Sequence, residues 1–189
     1  MASTAKTRTT PERLIAAAST LFRDKGYAAT GLSEILAAAG VPKGSLYHHF
    51  PGGKEDLALA CADVGGKIVL RMADRAMGEA DDLGSAFDAF SDALEAAFAK
   101  HGGWRGCPVT STLIDNGGPD RFRERARSIF ADWESGLSAH YERLGARNPA
   151  ALARSTLVVL QGTWAQARAR EDPTVMRRIG PMLRALDVA

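Results

Sequence analysis

Residues 42–49 carry side chains that could bind nucleic acid. At helical spacing, one face of this segment presents charged, hydrogen-bonding and aromatic groups around a small glycine: Lys43, Gly44, Ser45, Tyr47 and His48. A helix is narrow enough to enter the major groove of B-DNA, where such groups contact base edges. Tyr47 could instead cap the core with its hydroxyl at the surface, and His48 could form a solvated pair with His49. The segment therefore predicts a DNA-recognition helix, with an ordinary surface helix as the alternative.

Lys54 stands at the start of a further predicted helix, where an acidic side chain would suit the helix dipole better. A phosphate group bound at this position would explain the presence of a cation. The alternative is an ordinary surface lysine. We therefore treat Lys54 as a candidate phosphate contact.

Cys107 is the residue that invites a catalytic or redox interpretation. It follows a glycine-rich stretch near the start of a predicted helix, and a thiol near a helix N-terminus can have a lowered pKa. Neither His101 nor His140 has a defined partner in the sequence, so no catalytic residue is predicted. A packed, small apolar role is favoured, and a reactive thiol, acting as a redox sensor or as a nucleophile, is the alternative. With Cys61 as the second cysteine, the chain forms neither a disulfide framework nor a four-thiolate zinc site, and no metal or cofactor is predicted.

The elements that must position these residues are predicted to be helices, with almost no strand signal. Apolar residues recur at helical spacing between breakers such as Gly26 and Gly40. The predicted helices cover about residues 10–25, 32–39, 42–49, 54–78, 83–100, 107–115, 119–145, 148–171 and 173–187. The predicted fold class is therefore all-α, with an N-terminal three-helix head at 1–53 and a C-terminal helical bundle, the body, at 54–189.

The head contains a helix-turn-helix arrangement. Residues 32–49 comprise a short helix, a tight turn at Gly40-Val41 and a second short helix. The residues expected to pack the second helix onto the rest of the head are Phe22, Ile35, Val41 and Leu46. Thr9 and Glu12 have the spacing of a capping box, which predicts where the first helix begins.

The distribution of charge also changes near residue 54, where the head meets the body. The 189 residues have a net charge of only +2, which by itself does not indicate a nucleic-acid partner. Residues 1–54 hold seven basic and three acidic side chains, a net of +4, whereas residues 55–189 carry a net of −2. A basic surplus in the head favours a polyanionic partner there. The longest uncharged stretch has 13 residues, too short for a membrane-spanning helix, and no signal peptide is recognised, so a reduced cytoplasmic protein is expected.

A specific pattern extends over residues 10–57. Its members are Ala17-Ala18, Leu21-Phe22, Gly26-Tyr27, Thr30, Ile35, Ala39-Gly40-Val41, Lys43 to Phe50, Lys54 and Leu57. The pattern resembles the DNA-binding head of the tetracycline-repressor (TetR) family, in which the third helix enters the major groove. The resemblance implies base or phosphate contacts for Lys43, Gly44, Ser45, Tyr47 and His48, and phosphate contacts for Thr30 and Lys54.

Three features depart from the common pattern of that family. Pro42 stands where Ser or Thr is usual, Leu36 stands where Ala is common, and the linker Pro51-Gly52-Gly53-Lys54 is one residue longer. The longer linker resembles the LmrA/YxaF-like branch of the family. Gly106-Cys107-Pro108 and the segment 161–170 resemble the same branch.

The resemblance also implies a homodimer, joined by two helices per subunit near 119–145 and 148–171. The second of these helices is apolar around most of its circumference, and Gly162 and Ala165 would permit a close crossing at a two-fold axis. The basic run from Arg121 to Arg127 is interpreted as a solvated face.

The family places an effector cavity inside the body, and an apolar cavity suits a small apolar or aromatic ligand. The predicted ligand contacts are Trp104, Cys107, Thr110, Leu113, Phe130, Trp133, Gln161 and Trp164. Plain core packing is the alternative for each of them. The predicted function is that of a ligand-responsive transcriptional repressor, not an enzyme, which binds a palindromic operator as a homodimer and is released by the effector. The alternatives are a ligand-independent DNA-binding protein and a redox sensor acting through Cys107.

Overall fold

The computed structural model describes residues 8–100, 106–115 and 117–187, and helices are the only regular elements within those ranges. In chain order they are α1 (Thr10–Lys25), α2 (Leu32–Ala39), α3 (Lys43–His49), α4 (Lys54–Gly78), α5 (Leu83–Lys100), a π-helical turn (Thr110–Ile114), α6 (Asp120–Arg143), α7 (Pro149–Arg170), a 3-10 turn (Pro173–Arg178) and α8 (Ile179–Asp187). The all-α prediction is confirmed. None of the described helices has both the length and the apolar composition that a membrane span requires.

Local signals set the helix boundaries in the head. The backbone N–H of Thr9 donates to Glu12 Oε2 at 2.8 Å, which completes the predicted capping box at the start of α1. Helix α1 ends at Gly26, which has a φ of 81°. Helix α2 ends at Gly40, whose φ of 62° lies in the left-handed region that favours glycine. Arg13 of α1 donates to the Gly40 carbonyl at 2.8 Å and so holds the turn before α3.

The three head helices share one apolar centre. Leu14 and Phe22 of α1, Ile35 of α2 and Leu46 of α3 are all 0% exposed, and Val41 from the turn is also buried. Each fully buried side chain of this size stabilises the fold by about 1.5–3 kcal/mol. The predicted packing of the second helix onto the head is confirmed. Because Leu46 points inward, the opposite side of α3 faces solvent.

Helix α4 starts directly after the head and continues through the body. Helices α1, α5 and α6 all pack against it. Gly66 permits the close approach of α6, because a Cβ at this position would lie 2.7 Å from Ile129 Cγ2. At the same level, Trp133 Nε1 donates to the Gly66 carbonyl at 2.9 Å. Helix α4 is therefore packed against α1 of the head and against α5 and α6 of the body.

A buried pair of hydroxyl groups joins α6 to α7 in the centre of the body. The Thr156 hydroxyl donates to the Leu152 carbonyl at 2.8 Å, and its oxygen lies 2.9 Å from the Tyr141 hydroxyl. Since the one Thr156 proton is used, the Tyr141 hydroxyl is the donor in the second bond. Burial raises the pKa of Tyr141 to about 12, so the hydroxyl keeps its proton at neutral pH.

Two predicted helices differ from the elements that the structure shows. Residues 107–115 contain a single π-helical turn, and residues 173–187 divide into a 3-10 turn and α8. Pro108 has no N–H to donate at the start of the first segment. At the start of the second, the Asp172 carboxylate accepts the N–H of Thr174 at 2.9 Å, a local bond that favours a turn. The other predicted helices agree with the observed bounds to within two residues.

Candidate nucleic-acid interface and effector cavity

Helix α3 presents most of the predicted recognition residues to solvent. It has seven residues, and buried Leu46 sets its rotation. The exposed residues of α3 are Lys43, Gly44, Tyr47, His48 and His49, and Ser45 is half-buried. Positions 43, 44, 47 and 48 share one face, because side chains three and four residues apart are neighbours on a helix. This exposed face of α3 is the candidate nucleic-acid interface.

The ring of Tyr47 lies along the turn that joins α3 to α4. Tyr47 is 46% exposed. A Cβ at Gly53, which has a φ of 65°, would lie 3.2 Å from the Tyr47 ring. Glycine suits position 53 for two reasons. It adopts a positive φ without steric strain, and its lack of a side chain lets the aromatic ring approach the backbone. Tyr47 is positioned by the turn rather than buried in the core.

Lys54 is the first residue of α4 and packs against an aromatic ring of the head. Its Nζ lies 4.2 Å from the centroid of the Tyr27 ring, a cation–π contact. Burial lowers the pKa of Lys54 from its ordinary value. The residue is half-buried, so its side chain is only partly covered.

Thr30 is placed differently from the other predicted contacts. Its side chain is 1% exposed, and its hydroxyl donates to the Gly26 carbonyl at 2.8 Å. The hydroxyl therefore holds the loop between α1 and α2 together. A phosphate contact through this group would require the bond to break, so the structure does not bring Thr30 together with the exposed face of α3.

Ionic and aromatic contacts connect the head to α6. The Tyr27 and Phe122 rings meet edge to face, with centroids 5.0 Å apart. Arg121 forms ion pairs with Glu55 and Asp56 at the start of α4. The hydrogen bond from Arg121, followed by that from the Gly52 backbone, lowers the pKa of the Asp56 carboxyl. Within the basic segment from Arg121 to Arg127, at least Arg121 is therefore paired with acidic side chains of the same protein.

An apolar cavity of about 140 Å³ lies in the body, between α4, α5 and α7. Its lining residues are Arg23, Gly65, Ile68, Val69, Met72, Leu94, Ala97, Phe98, Pro108, Trp164 and Met176. The Phe98 and Trp164 rings meet edge to face at 6.4 Å and form an aromatic part of the wall. This void, which we call the effector cavity, is the candidate ligand site.

Of the predicted ligand contacts, Trp164 lines the effector cavity. Trp104 lies outside the described residues. Cys107 and Leu113 are buried and Thr110 is half-buried, and none of the three lines the cavity. Gln161 Nε2 donates to the Cys107 sulfur at 3.5 Å. Phe130 and Trp133 pack edge to face with centroids 5.5 Å apart, beside α4. As ligand contacts, all of these residues, including Trp164, stay predictions.

The most informative lining residue that sequence reasoning missed is Arg23. It lies in the last turn of α1, so it belongs to the head, yet its side chain lines a cavity of the body. Ile68 and Met72 are apolar residues four positions apart on α4. Such spacing identifies an inward face, but it does not distinguish a residue that packs solidly from one that borders a void. No local signal in the sequence identifies Arg23 as a cavity residue.

Both cysteines are expected to resist alkylation in the native protein. Cys61 and Cys107 are each 3% exposed, and burial raises the pKa of Cys61 to about 12. Because a thiolate must form and reach the reagent, iodoacetamide should modify neither residue until denaturant is added. Mass spectrometry of native and denatured samples checks this expectation. Rapid native labelling of Cys107 would support the redox alternative.

A three-helix head with an exposed recognition helix, joined to an all-α body, defines a helix-turn-helix transcriptional regulator. Residues 14–61 match the family model described as bacterial regulatory proteins, tetR family. Residues 84–182 match the model described as transcriptional regulator LmrA/YxaF-like, C-terminal domain. The chain therefore belongs to the TetR family, in its LmrA/YxaF-like branch, and the resemblance of the sequence is confirmed.

Individual relatives agree with this membership. The HTH-type transcriptional regulator YxaF of Bacillus subtilis is 36% identical over 129 residues, which span 66% of this chain and 65% of YxaF. The HTH-type transcriptional regulator Rv0196 of Mycobacterium tuberculosis is 31% identical, with 94% of each chain covered. The crystal structure of a regulatory protein TetR from Rhodobacter sphaeroides superposes with a TM-score of 0.80 at 27% identity, covering 90% of this chain and 95% of that one.

Proposed function

We propose that this regulator is a ligand-responsive repressor, which binds a palindromic operator as a homodimer and is released when a small molecule occupies the effector cavity. The observation that carries the proposal is the exposed face of α3. Its cationic, aromatic and imidazole groups stand outside the core, in the part of the chain that holds the basic surplus. On such a face, the cationic group can attract DNA phosphates, and the aromatic and imidazole groups can contact base edges.

The outer face of α7 supports the proposed homodimer. Val158 is 75% exposed, and a Cβ at Gly162 would meet no atom within 4 Å. Ala165 is also exposed. An apolar side chain beside small residues allows a second copy of α7 to cross closely at a two-fold axis. Two heads related by that axis would reach half-sites about 34–36 Å apart if these lie one helical turn apart.

The effector cavity supports ligand control. A filled core would favour a DNA-binding protein that needs no ligand, whereas a void of about 140 Å³ leaves room for one. For release, the ligand must bind the DNA-free geometry better than the DNA-bound one. Helix α4 borders the cavity and begins at Lys54, so a change in the cavity can alter the separation of the two heads.

Selection of operator sequences from random double-stranded DNA, with the full-length protein, tests the proposal. We expect enrichment of a palindrome, and we expect some members of a small-molecule panel to release it in a fluorescence-anisotropy assay. Enrichment of no sequence would contradict the recognition role of α3. Enrichment without release by any compound would favour the ligand-independent alternative.

Replacement of Lys54 by alanine is expected to weaken binding to operator and to random DNA by similar factors. Removal of one phosphate contact should also lower the slope of log affinity against log salt concentration by about one unit. Lys67→Ala, on the exposed side of the same helix α4, is the matched control for lost charge. A Lys54→Ala protein with an unchanged salt slope would contradict a phosphate contact at this position.

A further inference from the structure

The first turn of α6 contacts the head and the start of α4 through two neighbouring residues. The ring of Phe122, which is 1% exposed, meets the Tyr27 ring of the head edge to face. The guanidinium of Arg121 pairs with both Glu55 and Asp56 in the first turn of α4. Two consecutive residues of α6 therefore contact the place where the head meets the body, one by apolar packing and one by charge.

Asp56 extends this contact into the turn that joins α3 to α4. Its carboxylate accepts the backbone N–H of Gly52 at 2.6 Å, much as the acidic residue of a capping box accepts an N–H at the start of a helix. A Cβ at Gly52 would lie 2.5 Å from Asp56 Oδ1, so glycine leaves the room that this bond needs. Arg121, Asp56 and Gly52 thus form a chain of bonded groups, which we call the Arg121 bridge.

The turn held by the Arg121 bridge also positions two candidate DNA contacts. The Tyr47 ring lies against Gly53, and Lys54 follows at once in the chain. The Lys54 Nζ packs on the same Tyr27 ring that contacts α6. Because two consecutive glycines give this turn wide backbone freedom, a bond from outside the head is well placed to restrict it.

Helix α6 also connects the Arg121 bridge with the proposed dimer interface. The helix has 24 residues and is about 36 Å long. Near its far end, the buried Tyr141 hydroxyl donates to the Thr156 hydroxyl of α7 at 2.9 Å. The outer face of α7 is the surface on which two copies are proposed to meet. One helix therefore contacts the turn beside α3 at its start and the interface helix near its end.

We propose that Arg121 is a positioning residue for DNA recognition: through Asp56 and Gly52 it holds the turn before α4, and so fixes the orientation of the exposed face of α3 relative to the two-fold axis. The inference rests on the proposed function, in which the two heads of a dimer bind the half-sites of a palindrome. The separation of the heads must then match the spacing of the half-sites. A head held by α6 as well as by α4 reaches a narrower range of separations.

The test measures how strongly the full-length protein prefers the half-site spacing of its selected operator. Anisotropy compares the selected duplex with duplexes that have one base pair added or removed between the half-sites. In Arg121→Gln, we expect the ratio of the two affinities to fall about threefold or more, because the bridge is lost from both heads of the dimer. The thermal midpoint and the dimer mass should change little, since Arg121 is exposed. An unchanged ratio overturns the inference.

Asp56→Asn separates positioning from a simple change of charge. It weakens the same bridge but removes a negative charge, whereas Arg121→Gln removes a positive one. Both variants should therefore reduce the spacing preference, while their affinities for random DNA should shift in opposite directions. If Arg121→Gln instead weakens binding to every duplex equally and lowers the salt slope by about one unit, Arg121 is a direct phosphate contact and the inference is overturned.

Arg125→Gln is the matched control. It removes a cation from α6 and an ion pair with Asp63 of α4, at 2.5 Å, but one helical turn away from the bridge. We expect this variant to keep the spacing preference of the original protein. Arg121→Lys keeps the charge but loses the planar fork that reaches both carboxylates, and should retain part of the preference. Equal losses of the preference in Arg121→Gln and Arg125→Gln would overturn the specific role of Arg121.

Hydrogen exchange of the Gly52 amide, followed by NMR, tests the bridge without DNA. Loss of Arg121 releases the Asp56 carboxylate, so exchange at Gly52 should become about threefold faster or more in Arg121→Gln and stay unchanged in Arg125→Gln. Unchanged exchange in Arg121→Gln overturns the bridge even if the protein selects an operator. If the original protein selects no operator, the proposed function fails and the positioning role with it, whatever the exchange at Gly52.

Discussion

Aspartate in place of Val158 is expected to split the proposed dimer and to lower operator affinity at least about a hundredfold. Val158 is 75% exposed in the single chain and lies on the outer face of α7 with Gly162 and Ala165. In a two-fold interface the same position from each subunit lies near the axis, so two carboxylates would be desolvated close to one another. Loss of the second head removes the gain in affinity from simultaneous binding, which amounts to about 10²–10⁴-fold.

Light scattering coupled to size-exclusion chromatography gives the mass of the Val158→Asp protein, and anisotropy on the selected operator gives its affinity. Leu186→Asp on α8 is the control, because it introduces the same charge at another exposed apolar residue, 44% exposed. We expect the control to keep the mass and affinity of the original protein. A Val158→Asp protein that remains a dimer would show that α7 does not form the interface.

Alanine in place of Tyr47 is expected to weaken operator binding by about tenfold to a hundredfold, with a smaller loss on random DNA. A contact to a base edge contributes about 1–3 kcal/mol of discrimination, and such contacts are lost only on the specific site. Tyr47 is 46% exposed and its ring lies along the Gly53 turn, so its removal leaves the buried centre of the head in place. The thermal midpoint should therefore change little.

Anisotropy on the operator and on a scrambled duplex of the same length measures the two losses. Tyr47→Phe separates the hydroxyl from the ring: full retention of affinity would assign the contact to the ring face. His49→Ala, an exposed α3 residue outside the predicted set, is the control for general disturbance of the helix. Equal losses on both duplexes for Tyr47→Ala would contradict a role in sequence recognition.

The head could be predicted closely because its signals are local. A capping box at Thr9 and Glu12, the glycines that end α1 and α2, and the inward spacing of Ile35 and Leu46 all act within a few residues. Helix boundaries and the exposed face of α3 follow from such short-range interactions and spacings. The exception is Thr30, whose hydroxyl bonds to Gly26 in a loop without helical periodicity.

The body could be predicted as helical, but its cavity could not be located. Trp133 and Trp164 are both buried and have the same residue type, yet only Trp164 lines the effector cavity. Trp133 instead donates to the carbonyl of Gly66 on α4. Helical periodicity distinguishes inward from outward residues, but a void arises where several helices fail to fill the space between them, and that depends on the positions of all of them.

The sequence alone determined most of the helices, the basic surplus near the N-terminus, the helix-turn-helix and membership of the family, because each depends on residue type and short spacing. Tertiary structure decided which side chains surround the cavity and how the head is joined to the body. Arg23 and Gly106 are 83 positions apart and meet only because α1 packs on α4 and beside the π-helical turn. Contacts over such separations are set by the packing of whole helices, which no local pattern records.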